Sequence, residues 1–156
     1  QSKMIKKTWN LESYHRPFEE TTMILQITHY NSRVYLGHKY SLAQLEDIHV
    51  ELTDRLEYSD NEGVSKQGSR FVKNGAENNH VREHMESVFL NEVIDKIVFW
   101  TSQNMFTKLK IFVPKNMKKE LEKKLPKNLK KHTEFIMGSF NYDSPHKLVD
   151  RLYVLK

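Results

Sequence analysis

The chain has 156 residues, of which 38% are hydrophobic, and this is enough for one domain with a substantial core. It contains no cysteine, which excludes disulfide bridges, thiolate zinc sites and cysteine nucleophiles. No apolar run approaches the roughly 18 residues of a membrane-spanning helix, and no apolar segment follows the basic start as in a secretory signal. We therefore expect a soluble, cytoplasmic domain without membrane insertion.

The chain begins with an arm. Residues 1–21 show no clear hydrophobic period and contain Pro17. We interpret them as an N-terminal arm that covers a sheet edge, and residues 22–156 as a single α/β domain.

An antiparallel meander is predicted next. Met23–Thr28 is rich in strand formers and predicts a buried strand, and Arg33–Gly37 predicts the strand that returns beside it. Asn31 is the residue that we expect in the left-handed conformation at the turn between them. Ser41–Glu46 is predicted to be a connector. Apolar and polar residues alternate over Ile48–Thr53, which predicts a third strand with one face in solvent.

A long loop and a long helix follow. Gly63–Gly75 is polar, basic and punctuated by glycine, which predicts an exposed loop over about residues 59–76. Glu77–Ile97 predicts the longest helix, because apolar residues recur there at helical spacing. The predicted buried face of that helix contains Val81, Met85, Val88, Phe89 and Ile97. Trp100–Phe106 is predicted to be a connection.

The remainder predicts two more strands and two more helices. Leu109–Val113 is a strand that ends at Pro114, and Phe135–Met137 is a shorter one. The helix between them is predicted to be capped by Asn116 and to bury Met117, Leu121 and Leu125. Asp143 or Ser144 is predicted to cap a final helix whose first turn accepts Pro145 and whose buried residues are Leu148, Val149 and Leu152.

The order of these elements defines the fold class. An antiparallel meander followed by crossover units predicts an α/β protein with a single mixed sheet of about five strands, packed with about three helices.

Positive charge is concentrated in one segment. The formal net charge is +5, and only Glu120 and Glu122 accompany ten lysines of the segment: Lys108, Lys110, Lys115, Lys118, Lys119, Lys123, Lys124, Lys127, Lys130 and Lys131. This asymmetry favours a polyanionic partner such as RNA or DNA. The alternative is a solvated lysine-rich helix with no partner.

The predicted loop and helix carry a recognisable series of residues, with Gln67, then Arg70–Phe71, then His80–Val81–Arg82. With the order of elements, this series resembles the middle domain of the archaeal and eukaryotic class I peptide-chain release factors and their paralogue Pelota. It is still more similar to bacterial relatives of that domain, some labelled host-attachment proteins. The resemblance covers roughly residues 22–154.

The resemblance implies a contact tip on the ribosome, but its catalytic motif is not intact. Release factors carry Gly-Gly-Gln on this loop, and this chain has Ser65–Lys66 before Gln67. Two glycines allow backbone conformations that Ser and Lys rarely adopt, so we do not expect canonical peptide release. Pelota lacks the motif as well and acts in ribosome rescue without hydrolysis.

Three functions remain open. The first is a release-factor-like domain, non-catalytic or catalytically altered, that associates with ribosomes or structured RNA through Lys66, Gln67, Arg70, Lys73, Arg82, Lys118, Lys119, Lys123 and Lys124. The second is an ester hydrolase acting on peptidyl-tRNA or a related substrate, with Gln67 as the catalytic residue that positions water. The third is a protein-interaction module that binds an acidic partner.

Other constellations give weaker hypotheses. His80, Glu83 and His84 match a short zinc-peptidase pattern, but such enzymes need a third ligand and a larger chain, so no metal site is predicted. No phosphate-binding Gly-Lys-Ser/Thr follows the loop glycines, and no cofactor is predicted. The aromatic residues Trp9, Trp100, Tyr30 and Tyr142 are predicted to pack in the core or at a sheet edge rather than to stack on bases.

Overall fold

The computed structural model describes residues 5–11, 16–50 and 75–154, with the backbone alone for residues 75–80 and 153–154. The strands are β1 (Lys7–Asn10), β2 (Phe18–Ile27), β3 (Asn31–Lys39), β4 (Ser41–Gln44), β5 (Ile48–His49), β6 (Lys108–Val113) and β7 (Thr133–Met137). The helices are α1 (Gly75–Ser102), α2 (Lys115–Lys124), α3 (Lys127–Lys130) and α4 (Pro145–Val154).

All described strands belong to one mixed sheet with the order β1-β4-β3-β2-β6-β7, and β5 pairs with β3. Strands β1 to β5 pair antiparallel, whereas β2, β6 and β7 are parallel to one another. The prediction of an α/β protein with a single mixed sheet is confirmed, with seven strands and four helices in the described residues. The structure places residues 7–10 and 18–21 of the predicted arm within this sheet.

The predicted strand Ile48–Thr53 is present as β5 over Ile48–His49, and residues 51–53 lie outside the described residues. Two other parts of the meander differ from their prediction. Ser41–Gln44 forms β4 rather than a connector, because its backbone pairs with β3 on one side and β1 on the other. At the β2–β3 turn Tyr30, not Asn31, has the positive φ of 63°. The Asn31 side chain instead donates to an Asp47 carboxylate oxygen at 3.3 Å, while the Asn31 carbonyl accepts the backbone N–H of Thr28 at 2.8 Å.

Helices cover both faces of the sheet. The larger core lies under α1, α2 and α3 and contains Met23, Leu25 and Ile27 of β2. The smaller core lies under α4 and contains Ile24 of β2 with Phe112 of β6. Side chains alternate between the two faces of a strand, so a single apolar strand supplies both cores.

Helix α1 is longer than predicted, and its buried face starts later. Phe89 and Ile97 are fully buried as predicted, but Val81 is 53% exposed, so its predicted burial is wrong. The helix continues to Ser102 and therefore includes the start of the predicted connection. Trp100 is 4% exposed because it continues the helical spacing of Val93 and Ile97 along the same face.

The two predicted caps have different outcomes. Pro114, not Asn116, occupies the N-cap position of α2, and the Asn116 side chain donates to a Glu86 carboxylate oxygen at 3.3 Å. At α4 the Ser144 hydroxyl accepts the Lys147 backbone N–H at 3.3 Å, which confirms the predicted cap. No helix in the described residues has both the length and the apolar character needed to cross a membrane.

Candidate nucleic-acid interface

The predicted contact loop lies largely outside the described residues. Lys66, Gln67, Arg70 and Lys73 all fall there, so the roles assigned to them stay predictions. Gly75, the last residue of the predicted loop, is the first residue of α1.

The start of α1 extends past the rest of the helical layer. Glu86 of α1 contacts Asn116 in the first turn of α2, and α2 begins at the carboxyl end of β6. Residues 75–85 precede that contact and add about three helical turns, or about 15 Å. The side chains from Val81 to His84 are all exposed. Arg82 therefore lies on an exposed length of helix directly after the predicted loop.

The lysines of α2 divide into two sets by their contacts. Lys118 pairs with Glu122 at 3.0 Å, and its ammonium lies 5.7 Å from the centre of the Phe135 ring. Lys124 pairs with Glu120 at 3.6 Å and donates to the Asn91 side-chain oxygen at 2.8 Å. These two predicted RNA-binding lysines are thus half-buried and locally neutralised.

The second set forms an exposed stripe. Lys115, Lys119 and Lys123 are exposed and four residues apart, so they lie on one face of α2. Within the described residues none of the three makes an ion pair. Exposed lysines of α3 and the turn after it, Lys127, Lys130 and Lys131, extend the charge beyond the end of α2. We call these six residues the lysine stripe.

The surfaces beside the lysine stripe carry mixed charge. The exposed charged residues of α1 include Arg82 and Lys96 as well as Glu83, Glu92 and Asp95. Lys108 and Lys110 belong to β6 rather than to a helix; Lys108 lies 3.9 Å from Glu20, and Lys110 pairs with Glu134 at 2.6 Å. The positive surface that could face a polyanion is therefore narrower than the ten lysines of the sequence suggest, because Lys108, Lys110, Lys118 and Lys124 lie beside or pair with acidic side chains.

The structure describes the side chains of two of the three residues in the short zinc-peptidase pattern. Glu83 and His84 are exposed on α1, and the side chain of His80 is outside the described set. Among the described residues no group of three or more His, Asp or Glu side chains is arranged to hold a metal ion.

The four aromatic residues do not share one role. Trp100 is buried as predicted, Trp9 packs with its ring centre 6.1 Å from that of Tyr35, and Tyr30 is half-buried against the larger core. Tyr142 is 97% exposed, so its predicted packing is wrong. It lies in the turn between β7 and α4, where no neighbouring element covers it.

The sequence patterns missed a cavity of about 350 Å³ at the carboxyl ends of β2, β6 and β7. Its lining comes from the three segments that follow these strands, residues 28–29, 114–117 and 138–141. The strand order brings these segments together, and no local pattern reports that order. In the sequence, only the polar residues that follow each apolar strand indicated this cavity.

No protein-family model matches the chain, and no curated protein shows significant sequence similarity to it.

Proposed function

We propose that this chain is a release-factor-like domain that associates with ribosomes or structured RNA without Gly-Gly-Gln catalysis. The observation that carries the proposal is the lysine stripe, whose exposed cations make no ion pair within the described residues. Counterion release from RNA would favour contacts of this kind. Exposed lysines also keep proteins soluble, and the salt dependence of RNA binding distinguishes the two roles.

Two features of α1 support the same proposal. The exposed stretch from Val81 to His84 places Arg82 close in sequence to the predicted contact residues, and the buried second half of α1 anchors the helix to the core through Phe89, Val93 and Ile97. A rigid helix of this kind can hold a contact segment away from the sheet. The replacement of two glycines by Ser65–Lys66 favours binding without peptide release.

The first test is sedimentation with ribosomes through sucrose gradients at low and moderate salt. We expect the wild-type protein to travel with ribosomes at low salt and to dissociate as salt rises. The triple variant Lys66→Glu, Gln67→Ala, Arg70→Glu should remain at the top of the gradient. If the wild-type protein also remains at the top at low salt, and also fails to bind structured RNA, the proposal is wrong.

A second test isolates the lysine stripe. In filter binding to a structured RNA, Lys119→Gln with Lys123→Gln should lower the slope of log affinity against log salt by about 1.4 to 1.8, if each lysine contacts one phosphate. The matched control is Lys39→Gln with Lys147→Gln, which removes two exposed lysines located away from α2. Equal slopes for the two double variants would contradict a contact between RNA and the lysine stripe.

A pull-down from cell extract tests the alternative of an acidic protein partner. Retention of a cellular partner after nuclease treatment would favour that alternative.

A further inference from the structure

The cavity at the carboxyl ends of β2, β6 and β7 has the location of a ligand site. In open α/β sheets, ligands bind outside the carboxyl ends of parallel strands, where the segments after the strands form a crevice. Here these segments line an open cavity of about 350 Å³, at the lower end of the size range of small-molecule sites. Lys115 of the lysine stripe also lines this cavity, but the position of the cavity follows from the strand order, and the inference does not rest on the proposed function.

The lining of the cavity contains no carboxylate. Two of its polar side chains already donate elsewhere, Thr28 to the Asn31 carbonyl and Asn116 to a Glu86 carboxylate oxygen, which leaves Lys115, Ser139 and Asn141 as the donors toward a ligand. Polar side chains contribute from all three segments: Thr28, His29, Lys115, Asn116, Ser139 and Asn141. Lys115 adds a positive charge. Two carboxylates lie nearby: Glu86 accepts the Asn116 amide, and Asp143 forms an ion pair with Arg151, which offsets the charge of Asp143. This chemistry selects an anion that accepts several hydrogen bonds.

Residues 138–141 form one wall of the cavity, and contacts with β2 and β6 hold this wall in place. The Gln26 amide donates to the carbonyl oxygens of Phe140 and Asp143, and the Gly138 N–H donates to the Val113 carbonyl at 3.1 Å. The Phe140 ring packs edge-on against Phe112, with ring centres 5.0 Å apart. A wall fixed in this way requires little ordering when a ligand binds.

We propose that this cavity binds a phosphate group, either of a free nucleotide or of an RNA chain. Tyr142 is exposed and directly follows the lining residue Asn141 in the sequence, although it is not itself part of the lining. Phosphate accepts hydrogen bonds from amide, hydroxyl and ammonium groups, and these are the groups that the lining presents.

The binding test is an NMR titration of the ¹⁵N-labelled full chain with uridine 5′-monophosphate, inorganic phosphate and uridine. We expect the amide signals of Lys115, Asn116 and Ser139 to shift with both phosphate compounds and to stay in place with uridine. Equal shifts with uridine, or phosphate-induced shifts confined to other parts of the chain, would overturn the proposal.

A matched pair of variants tests the cavity itself. Asn141→Asp places a negative charge in the lining and should weaken binding of the monophosphate about tenfold. Asn128→Asp makes the same change at an exposed position of α3, away from the cavity, and should leave the affinity unchanged. Equal affinities for the two variants would overturn the assignment.

Two RNA hexamers of the same sequence, with and without a 5′-phosphate, identify the source of the group. Tighter binding of the phosphorylated hexamer assigns the cavity to an RNA end, and binding of the monophosphate alone assigns it to a free nucleotide. If phosphate compounds shift the cavity signals while binding to ribosomes and to structured RNA both fail, the cavity assignment stands and the proposed function is wrong. If the protein binds ribosomes or structured RNA but phosphate compounds leave the cavity signals in place, the cavity assignment is wrong and the proposed function stands.

Discussion

Gln26→Glu is a sharp test of the contacts between β2 and the segment that precedes α4. Gln26 is 0% exposed, and its Nε2 group donates to the carbonyl oxygens of Phe140 and Asp143, the second at 3.3 Å. Both partners can only accept hydrogen bonds, so an ionised carboxylate of the same shape cannot replace the amide. The substitution would place a buried negative charge against two carbonyl oxygens.

The magnitude follows from the pKa of the new carboxyl group. Full burial should raise that pKa from about 4.3 in the unfolded chain to about 7 in the folded protein, which corresponds to about 3 kcal/mol lost at pH 7. Because the folded-state pKa is the higher one, the penalty is absent below about pH 4 and grows as the pH rises toward 7. The protonated carboxyl group retains one donor, so the loss at pH 4 should be only about 1 kcal/mol.

Urea unfolding at pH 7 and pH 4, followed by tryptophan fluorescence, measures both losses against the wild-type protein. Gln103→Glu is the control, since Gln103 is exposed directly after α1 and the same substitution there should cost less than about 0.5 kcal/mol at either pH. A loss of equal size at the two pH values, or no loss at pH 7, would refute the donor role of the Gln26 amide.

Three further substitutions test other parts of the fold. Gly37→Ala should lower the free energy of unfolding in urea by about 1–3 kcal/mol, because an added Cβ would lie 2.5–2.8 Å from atoms of the Phe18 ring; unchanged stability would contradict that packing. Val93→Ala should cost about 2 kcal/mol in thermal unfolding and Val81→Ala less than about 0.5 kcal/mol, because only Val93 is buried; equal losses would show that the start of α1 packs on the core. Burial raises the pKa of Tyr35 above 10.0, so stability should be retained below about pH 10 and decline above it, and Tyr35→Phe should flatten that decline in urea titrations near pH 11.

Local patterns were sufficient for the elements whose own residues carry a clear apolar or capping signal. Alternation and apolar runs located β2, β6 and β7, and the capping signal with helical spacing located α4 and its buried residues Leu148 and Val149. Alternation and apolar runs did not predict β4. Ser41–Gln44 has no strong strand preference, and it is a strand because β1 and β3 pair with it on both sides. Tertiary context decided its conformation.

The candidate interface was predictable in composition but not in geometry. The excess of lysine on α2 is visible in the sequence, yet the sequence alone did not separate the neutralised Lys118 and Lys124 from the exposed Lys119 and Lys123. That separation depends partly on α1, since Lys124 donates to Asn91 across the helix pair. Val81 shows the same limit, because helical periodicity assigns a face but does not report where the neighbouring core ends.

Gln26 shows how a residue can be central to a fold and give no local signal. It interrupts an apolar strand, and its amide partner Phe140 lies 114 residues further along the chain. Side-chain alternation puts Gln26 on the α4 face of β2, beside Ile24, where most neighbours are apolar. The last turn before α4 presents two backbone carbonyls to that face, and buried carbonyls need donors. A glutamine at this position therefore supplies the donors that an apolar residue could not, and it fixes the segment that forms one wall of the cavity.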